Sequence, residues 1–395
     1  MPIKKQRVFI WILVICSMVL TMVIIGGVTR LTGSGLSMVE WKPLMGAIPP
    51  LSHSEWMLVF GKYQASPQYQ LVNRGMSLGD FQWIFFWEYF HRLMGRLLGV
   101  FFFIPWVYFW LKGHLHRKRA LQLLFGFMLG GLQGFLGWIM VASGLINQPQ
   151  VSHYRLAAHL LLAFFILAYF WKMAWSFREE NLLLNQETQA LTQDHKIKDK
   201  HLLFSQLLPI LNFMIALLVL QIFYGALVAG LKAGFMYNTF PDMEGHFFPL
   251  GGLSLNPIGI NFFENPLTVQ WIHRMLGWTL FLGCFGIFFK YRNNVSSNIK
   301  RSLLVLVIIV SFQFGLGVVT LILKVRLPIA VLHQLGASLV LLYLLWMRWE
   351  TKKTNKKIYI GNSKYKKLKI YNQQMMPYHK NYCVWLKLLN QNLNP

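Results

Sequence analysis

Eight apolar runs recur along the chain, near residues 9–28, 85–110, 121–141, 156–176, 206–229, 269–289, 302–323 and 329–347. An α-helix needs about 20 apolar residues to cross the hydrocarbon core of a bilayer, so each run predicts a transmembrane helix. Basic residues fall in the short polar stretches between runs. Lys112, Arg117, Lys118 and Arg119 follow the second run, Lys290, Arg292, Lys300 and Arg301 follow the sixth, and Lys4, Lys5 and Arg7 precede the first. Cationic loops stay on the cytoplasmic side, so both termini are expected there. Segments 29–84 and 230–268, which hold Pro and Gly but few charge clusters, are then expected outside. The first run resembles a signal peptide, but it is long and no convincing small-residue cleavage site follows, which predicts a retained span.

Composition narrows the class further. Of 395 residues, 55% are apolar and 13% charged, too apolar for a soluble domain. The net charge of +25 would suit nucleic acid, yet the cations cluster in short loops and in the tail. That distribution points to membrane lipid, and no nucleic-acid partner is expected. Cys16 and Cys284 lie in apolar runs and Cys383 in the tail, so no disulfide or CxxC metal framework is evident. Residues 177–205 read as a cytoplasmic linker between an N-terminal half, 1–176, and a C-terminal half, 206–347. Residues 348–395 read as a basic cytoplasmic tail, disordered or lying on anionic lipid.

The halves repeat. Val28-Thr29-Arg30-Leu31-Thr32 answers Val228-Ala229-Gly230-Leu231-Lys232, and Leu136-Gly137 answers Leu316-Gly317. His159 with Ala163 answers His333 with Ala337, and Glu88-Tyr89-Phe90-His91-Arg92 answers Gln270-Trp271-Ile272-His273-Arg274. Four spans per half let both halves enter the membrane in the same sense. The expected fold is an all-α polytopic membrane protein, with eight transmembrane helices in two parallel-repeat four-helix bundles.

Four of the twelve histidines, His91, His159, His273 and His333, lie about one turn inside even-numbered spans. Those spans all run from outside to inside, which puts the four imidazoles at similar depth near the outer leaflet. A lone membrane histidine is usually a hydrogen-bonding or packing residue. Four at matching depth in a repeat point instead to two facing pairs, the arrangement of bis-histidine haem ligation. Gly95, Ala157, Ala158, Gly277, Gly336 and Ala337 would leave room beside the ligands for a flat macrocycle. Zinc fits less well, because no third or fourth ligand accompanies either pair. Arg92 and Arg274 would either meet a haem propionate or snorkel to the interface. Glu88 is the one acidic residue well inside a predicted span, and Gln270 stands in its place in the second half. Glu88 either pairs with Arg92 four residues on, or marks the half in which chemistry occurs.

The chain closely resembles haem A synthase. Gly26-Gly27-Val28-Thr29-Arg30-Leu31-Thr32-Gly33-Ser34-Gly35-Leu36-Ser37-Met38 is similar to that family's opening motif. Glu88 to Arg92 resembles its ExxH site, and Asn238-Thr239-Phe240-Pro241 with Ile272-His273-Arg274 resembles its second half. The likeness covers about residues 8–347. Segment 29–84 has no cysteine, as in the subtype of mitochondria and many Gram-negative bacteria. The resemblance implies that haem O is the substrate, that its C8 methyl is hydroxylated twice, and that loss of water leaves the formyl group of haem A for cytochrome oxidase assembly. It also implies that His91 and His159 hold the substrate haem iron, that Glu88 is the catalytic residue, and that His273 and His333 ligate haem b as cofactor. The implied setting is the bacterial inner membrane or the mitochondrial inner membrane. The implied partners are a membrane-bound haem O synthase and an electron donor, and a homo-oligomer is compatible with the sequence.

Two other function classes share these residues. A dihaem b-type electron carrier would need the four histidines but not one carboxylate in one half. A repeat-built transporter would use the histidines as a proton relay and bind no haem. The loop charges make the topology testable first: a reporter fused after residue 350 should be active only in the cytoplasmic form, and activity only in the exported form would overturn the orientation.

Overall fold

The computed structural model describes residues 3–40, 48–144, 151–186 and 197–353. The chain forms α1 (Ile3–Leu31), α2 (His53–Gln64), α3 (Pro67–Leu71), α4 (Leu78–Leu111), α5 (Arg117–Gly144) and α6 (His153–Gln186). It continues through α7 (Ile197–Gly230), α8 (Asn261–Glu264), α9 (Pro266–Tyr291), α10 (Ser297–Ile322) and α11 (Leu327–Lys353). Among the described residues no strand forms, and eight helices are long and apolar enough to cross a membrane. This is a multi-pass, helical membrane protein. Within a bilayer the backbone must satisfy its own hydrogen bonds, and helices do so segment by segment. Pro105 inside α4 and Pro209 inside α7 are accommodated within continuous helices.

α1 packs on α4 and α6, and α5 packs on the same two helices, so these four are neighbours in a ring. In the second half α9 packs on α7 and α10. Gln313 on α10 bonds to the His333 carbonyl on α11, and Arg348 on α11 donates to Asn212 on α7 at 2.5 Å. The halves meet where α6 packs on α7, and where Gln334 on α11 donates to the Val23 carbonyl on α1 at 3.1 Å.

The two largest buried apolar clusters lie toward one end of the helices. One joins Val8, Ile12 and Ile15 of α1 with Phe102 and Trp106 of α4, Leu123 of α5 and Leu167 of α6. The other joins Leu211 of α7, Cys284 of α9, Leu306 of α10 and Leu344 of α11. All four histidines lie at the opposite end.

That opposite end carries the two long connections. The first is more than a loop. Ser52 and Ser77 start α2 and α4 with capping boxes completed by Glu55 and Asp80. α4 therefore begins a full two turns before the apolar run, and α2 lies against that extension. Phe81 of α4 stacks on Tyr63 at 4.9 Å between ring centroids and lies 5.0 Å from Phe60. Trp56 meets Phe85 edge-on at 5.1 Å.

The turns leaving α1 and α7 correspond. Each begins with a left-handed residue, Gly33 at φ 67° or Lys232 at φ 54°, followed by a 3-10 turn, Ser34–Leu36 or Ala233–Phe235. This correspondence pairs Gly33 with Lys232, and therefore Val28 with Leu227. The sequence comparison had paired Val28 with Val228, one residue out of register. Apolar membrane helices resemble each other at many registers, whereas the left-handed turn fixes one. The expected linker, 177–205, is helical at both ends, through Gln186 and from Ile197, and its centre lies outside the described residues. So does the basic tail beyond Lys353.

Phe81 is fully buried among Phe60, Tyr63 and Phe85. Phe81→Ala should cost about 3–5 kcal/mol of local stability. Limited proteolysis should then cut residues 48–77 far faster than in the wild type, and unchanged cleavage would show that the aromatic layer does not hold this cap.

Candidate active site

Each of the four histidines presses against a glycine of the transmembrane helix before its own. A Cβ added to Gly26 of α1 would stand 3.4 Å from His91 Nε2, and one added to Gly137 of α5 would stand 3.2 Å from His159 Cε1. At Gly225 of α7 it would stand 3.0 Å from His273 Cε1, and at Gly317 of α10 it would stand 2.9 Å from His333 Cε1. A real Cβ at the tighter positions would push the ring away, so the rings are seated against bare backbone. Of the small residues expected beside the histidines, two serve a different contact. Gly95 and Gly277 lie one turn after His91 and His273 and face side chains of α1 and α7 rather than the rings.

Three imidazoles also have a glutamine beside them. Gln133 Nε2 donates to the His159 carbonyl at 3.1 Å and lies 3.1 Å from His159 Nε2. Gln313 Nε2 donates to the His333 carbonyl at 2.8 Å and lies 3.1 Å from His333 Nδ1. Gln221 Nε2 lies 3.4 Å from His273 Nε2. Sequence reading passed over these residues. The signal was present in Gln133–Gly137, Gln221–Gly225 and Gln313–Gly317, each a Gln four residues before the ring-facing Gly.

The structure brings the histidines together in pairs. The His273 and His333 rings lie 6.5 Å apart between centroids, with their planes at 84°. With metal–nitrogen bonds of about 2 Å, that spacing admits one metal between the ring edges. His91 and His159 are close enough to interact electrostatically. The residues present fit a haem in three respects. The paired imidazoles could each supply a nitrogen to the iron, and the ring-facing glycines fix where the rings stand. The third is a set of buried polar atoms with no partner among the described residues, namely Nδ1 of His159 and His273 and Oε1 of Gln133, Gln221 and Gln313. Buried polar atoms are normally satisfied, so these mark the site as built for a further group.

Glu88 is only 2% exposed, and both of its oxygens accept hydrogen bonds. Its Oε2 accepts from Ser37 Oγ at 2.7 Å and from the Met38 N–H at 2.8 Å, and its Oε1 accepts from Arg92 Nη2 at 2.5 Å. Arg92 also donates to the carbonyls of Met38 and Glu40. The motif after α1 is therefore tied down onto α4 by one ion pair. Gln270 and Arg274 do the equivalent work with neutral acceptors. Gln270 Nε2 donates to the Tyr237 carbonyl at 2.9 Å. Arg274 donates to the carbonyls of Tyr237, Thr239 and Asp242 at 2.9, 2.9 and 2.7 Å. Asn238 adds bonds to the carbonyls of Gly234 and Leu321. Arg92 and Arg274 thus clamp loop backbone rather than extending to the interface. Nε of Arg274 is buried with no partner among the described residues.

The chain is similar to known proteins over most of its length. The pattern of the COX15-CtaA family, described as cytochrome oxidase assembly protein, matches residues 9–345. The chain is 44% identical over 350 residues to the Heme A synthase of Nitrosospira multiformis, covering 88% of this chain and 94% of that protein. It is 44% identical over 347 residues to the Heme A synthase of Nitrosomonas eutropha, covering 87% and 93%. To the Heme A synthase of Rhodospirillum centenum it is 42% identical over 342 residues, covering 86% and 87%. A match of this length, across both histidine pairs and both loop clamps, shows that the chain belongs to the COX15-CtaA family of cytochrome oxidase assembly proteins.

Proposed function

We propose that this protein is a haem A synthase, which oxidises the C8 methyl of haem O to the formyl group of haem A. Family membership and the names of the relatives support the overall activity. The division of labour rests on one observation. The two halves present matching histidine pairs, yet Glu88 stands where the second half has Gln270, each held against the loop after the preceding helix. Chemistry is assigned to the half with the carboxylate, so His91 and His159 hold the substrate haem, and His273 and His333 hold haem b. The two rings of helices are read as a parallel repeat. The membrane is the bacterial or mitochondrial inner membrane with both termini inside, and a haem O synthase and an electron donor are the expected partners.

A haem b bound to the second pair supplies one-electron redox chemistry. The protein's own residues do the rest. The glycines and glutamines set the imidazole positions. Arg92 and Arg274 hold the outer loops down over the histidine ends of the helices, and the unpartnered Nε of Arg274 is the donor left for a propionate. Glu88 has three donors on two oxygens and retains acceptor capacity, since an ionised carboxylate offers about four lone-pair sites. Fixed one turn before His91, it is placed to stabilise positive charge, or accept a proton, as the methyl is oxidised. Two hydroxylations of that methyl give a gem-diol, and loss of water leaves the aldehyde.

The direct test is pigment extraction from cells that express the chain together with a source of haem O. A new formyl haem is expected, and haem O alone would refute the activity. Two variants probe the assignment. Glu88→Gln should keep haem b but lower the ratio of haem A to haem O by about a hundredfold or more, the usual scale for a general acid–base group. Ser37→Ala removes one hydrogen bond to the same carboxylate and should change that ratio only severalfold. Equal effects would make Glu88 a loop anchor. In the second half, Gly317→Ala should displace the His333 ring and weaken the low-spin haem b spectrum. Gly315→Ala on the same helix, where a Cβ meets nothing within 4 Å, should leave that spectrum intact.

A further inference from the structure

Three of the four histidines share a device that the fourth lacks. One turn before each ring-facing glycine stands Gln133 in α5, Gln221 in α7 or Gln313 in α10, but one turn before Gly26 stands Met22. The exchange is spatial as well as sequential. A Cβ on Gly277, one turn after His273, would lie 3.4 Å from Gln221 Nε2, and a Cβ on Gly95, one turn after His91, would lie 3.7 Å from Met22 Cε.

The difference has chemical consequences at an iron site. A neutral imidazole that gives one nitrogen to a metal keeps its proton on the other. A hydrogen-bond acceptor at that proton fixes the ring and makes it a better ligand. Each glutamine carries a buried Oε1 with no partner among the described residues, on an amide whose Nε2 already lies 3.1–3.4 Å from an imidazole nitrogen. Rotation of the Gln221 amide about its last torsion presents that oxygen to the His273 ring, whereas Gln133 and Gln313 hold His159 and His333 through the bond from Nε2 to the histidine's own carbonyl. A thioether is a weak acceptor and has no proton to give. Met22 lies toward Gly95, one turn after His91, and brings no amide to the His91 ring.

We propose that Gln133, Gln221 and Gln313 are positioning residues that lock His159, His273 and His333 as iron ligands, and that Met22 leaves His91 as the one releasable ligand. The proposal rests on the assignment of haem O to the first pair and haem b to the second. It matches what each must do. A resident haem is held by two locked ligands, whereas a substrate haem has to arrive, react and leave. Anchored by His159, it is freed on the Glu88 side when His91 lets go.

Cyanide binding reads ligand release without reference to turnover. Purified wild-type protein carrying haem b and loaded with haem O should bind cyanide at the substrate haem, seen as a spectral change, while haem b stays unreactive. Met22→Gln should weaken or slow that binding by about 10- to 100-fold, the usual range for losing or gaining such a partner at a metal ligand. Gln221→Met, the reverse exchange, should open haem b to cyanide by a similar factor. It replaces a polar membrane residue with an apolar one, so it carries the test even if Met22→Gln fails to insert. Wild-type cyanide behaviour in every variant that folds, with both haems present, would overturn the proposal and leave the haem assignments standing. Wild-type protein without haem b would overturn those assignments themselves.

Discussion

A polar ring placed among membrane helices must find its partners within the protein, because the surrounding hydrocarbon offers none. Here the four rings are seated in one way, and the ring nitrogens left without a partner among the described residues are those a further group would satisfy. A glycine on the preceding membrane helix removes the side chain that would stand between ring and backbone, and the two helices close on each other at that level. Three times a glutamine from the same helix adds polar contact. The apolar packing of Ile12, Leu123, Leu211 and Leu306 lies toward the other end of the helices, while a smaller cluster of Ala157, Tyr224, Leu227 and Val269 packs at the level of the histidines.

The outer loops complete the site by a second shared device. Arg92 and Arg274 each follow a ligand and each donate to carbonyls of the loop after the preceding transmembrane helix. Their partners on the same helix differ in sense. Glu88 accepts from its loop, and Gln270 donates to its loop. A charge buried at this depth requires close compensation, and Arg92, Ser37 and Met38 supply it. The two halves are therefore alike where their arginines hold backbone, and they differ in the carboxylate of Glu88 against the amide of Gln270.

Much of this could be read along the chain. The eight spans followed from hydropathy, the histidine pairs from their shared depth, and the Glu88–Gln270 contrast from comparing two short motifs. The glutamines were missed because a Gln in an apolar helix reads as a packing curiosity until its neighbour across the helix pair is known. The ring-facing glycines were present in the sequence but given no contact, and the room beside the rings was credited to other small residues. Glycines beside a ligand in sequence point around their own helix, whereas those touching the ring come from another. The α2 layer on Phe81 escaped notice for a related reason, since α2 and α3 are too short and too polar to stand out by periodicity.

The sequence by itself determined the membrane class and the number of spans, and it singled out four histidines and an orientation as expectations. These depend on hydrophobicity and charge, which act along the chain and need no knowledge of neighbours. The tertiary structure alone decided the register between the halves, the glycine and glutamine partners of each ring, and the engagement of Glu88 with Ser37, Met38 and Arg92. Those are contacts between helices far apart in sequence. In a membrane, where apolar faces pack about equally well in many registers, only close approach and hydrogen bonding select one.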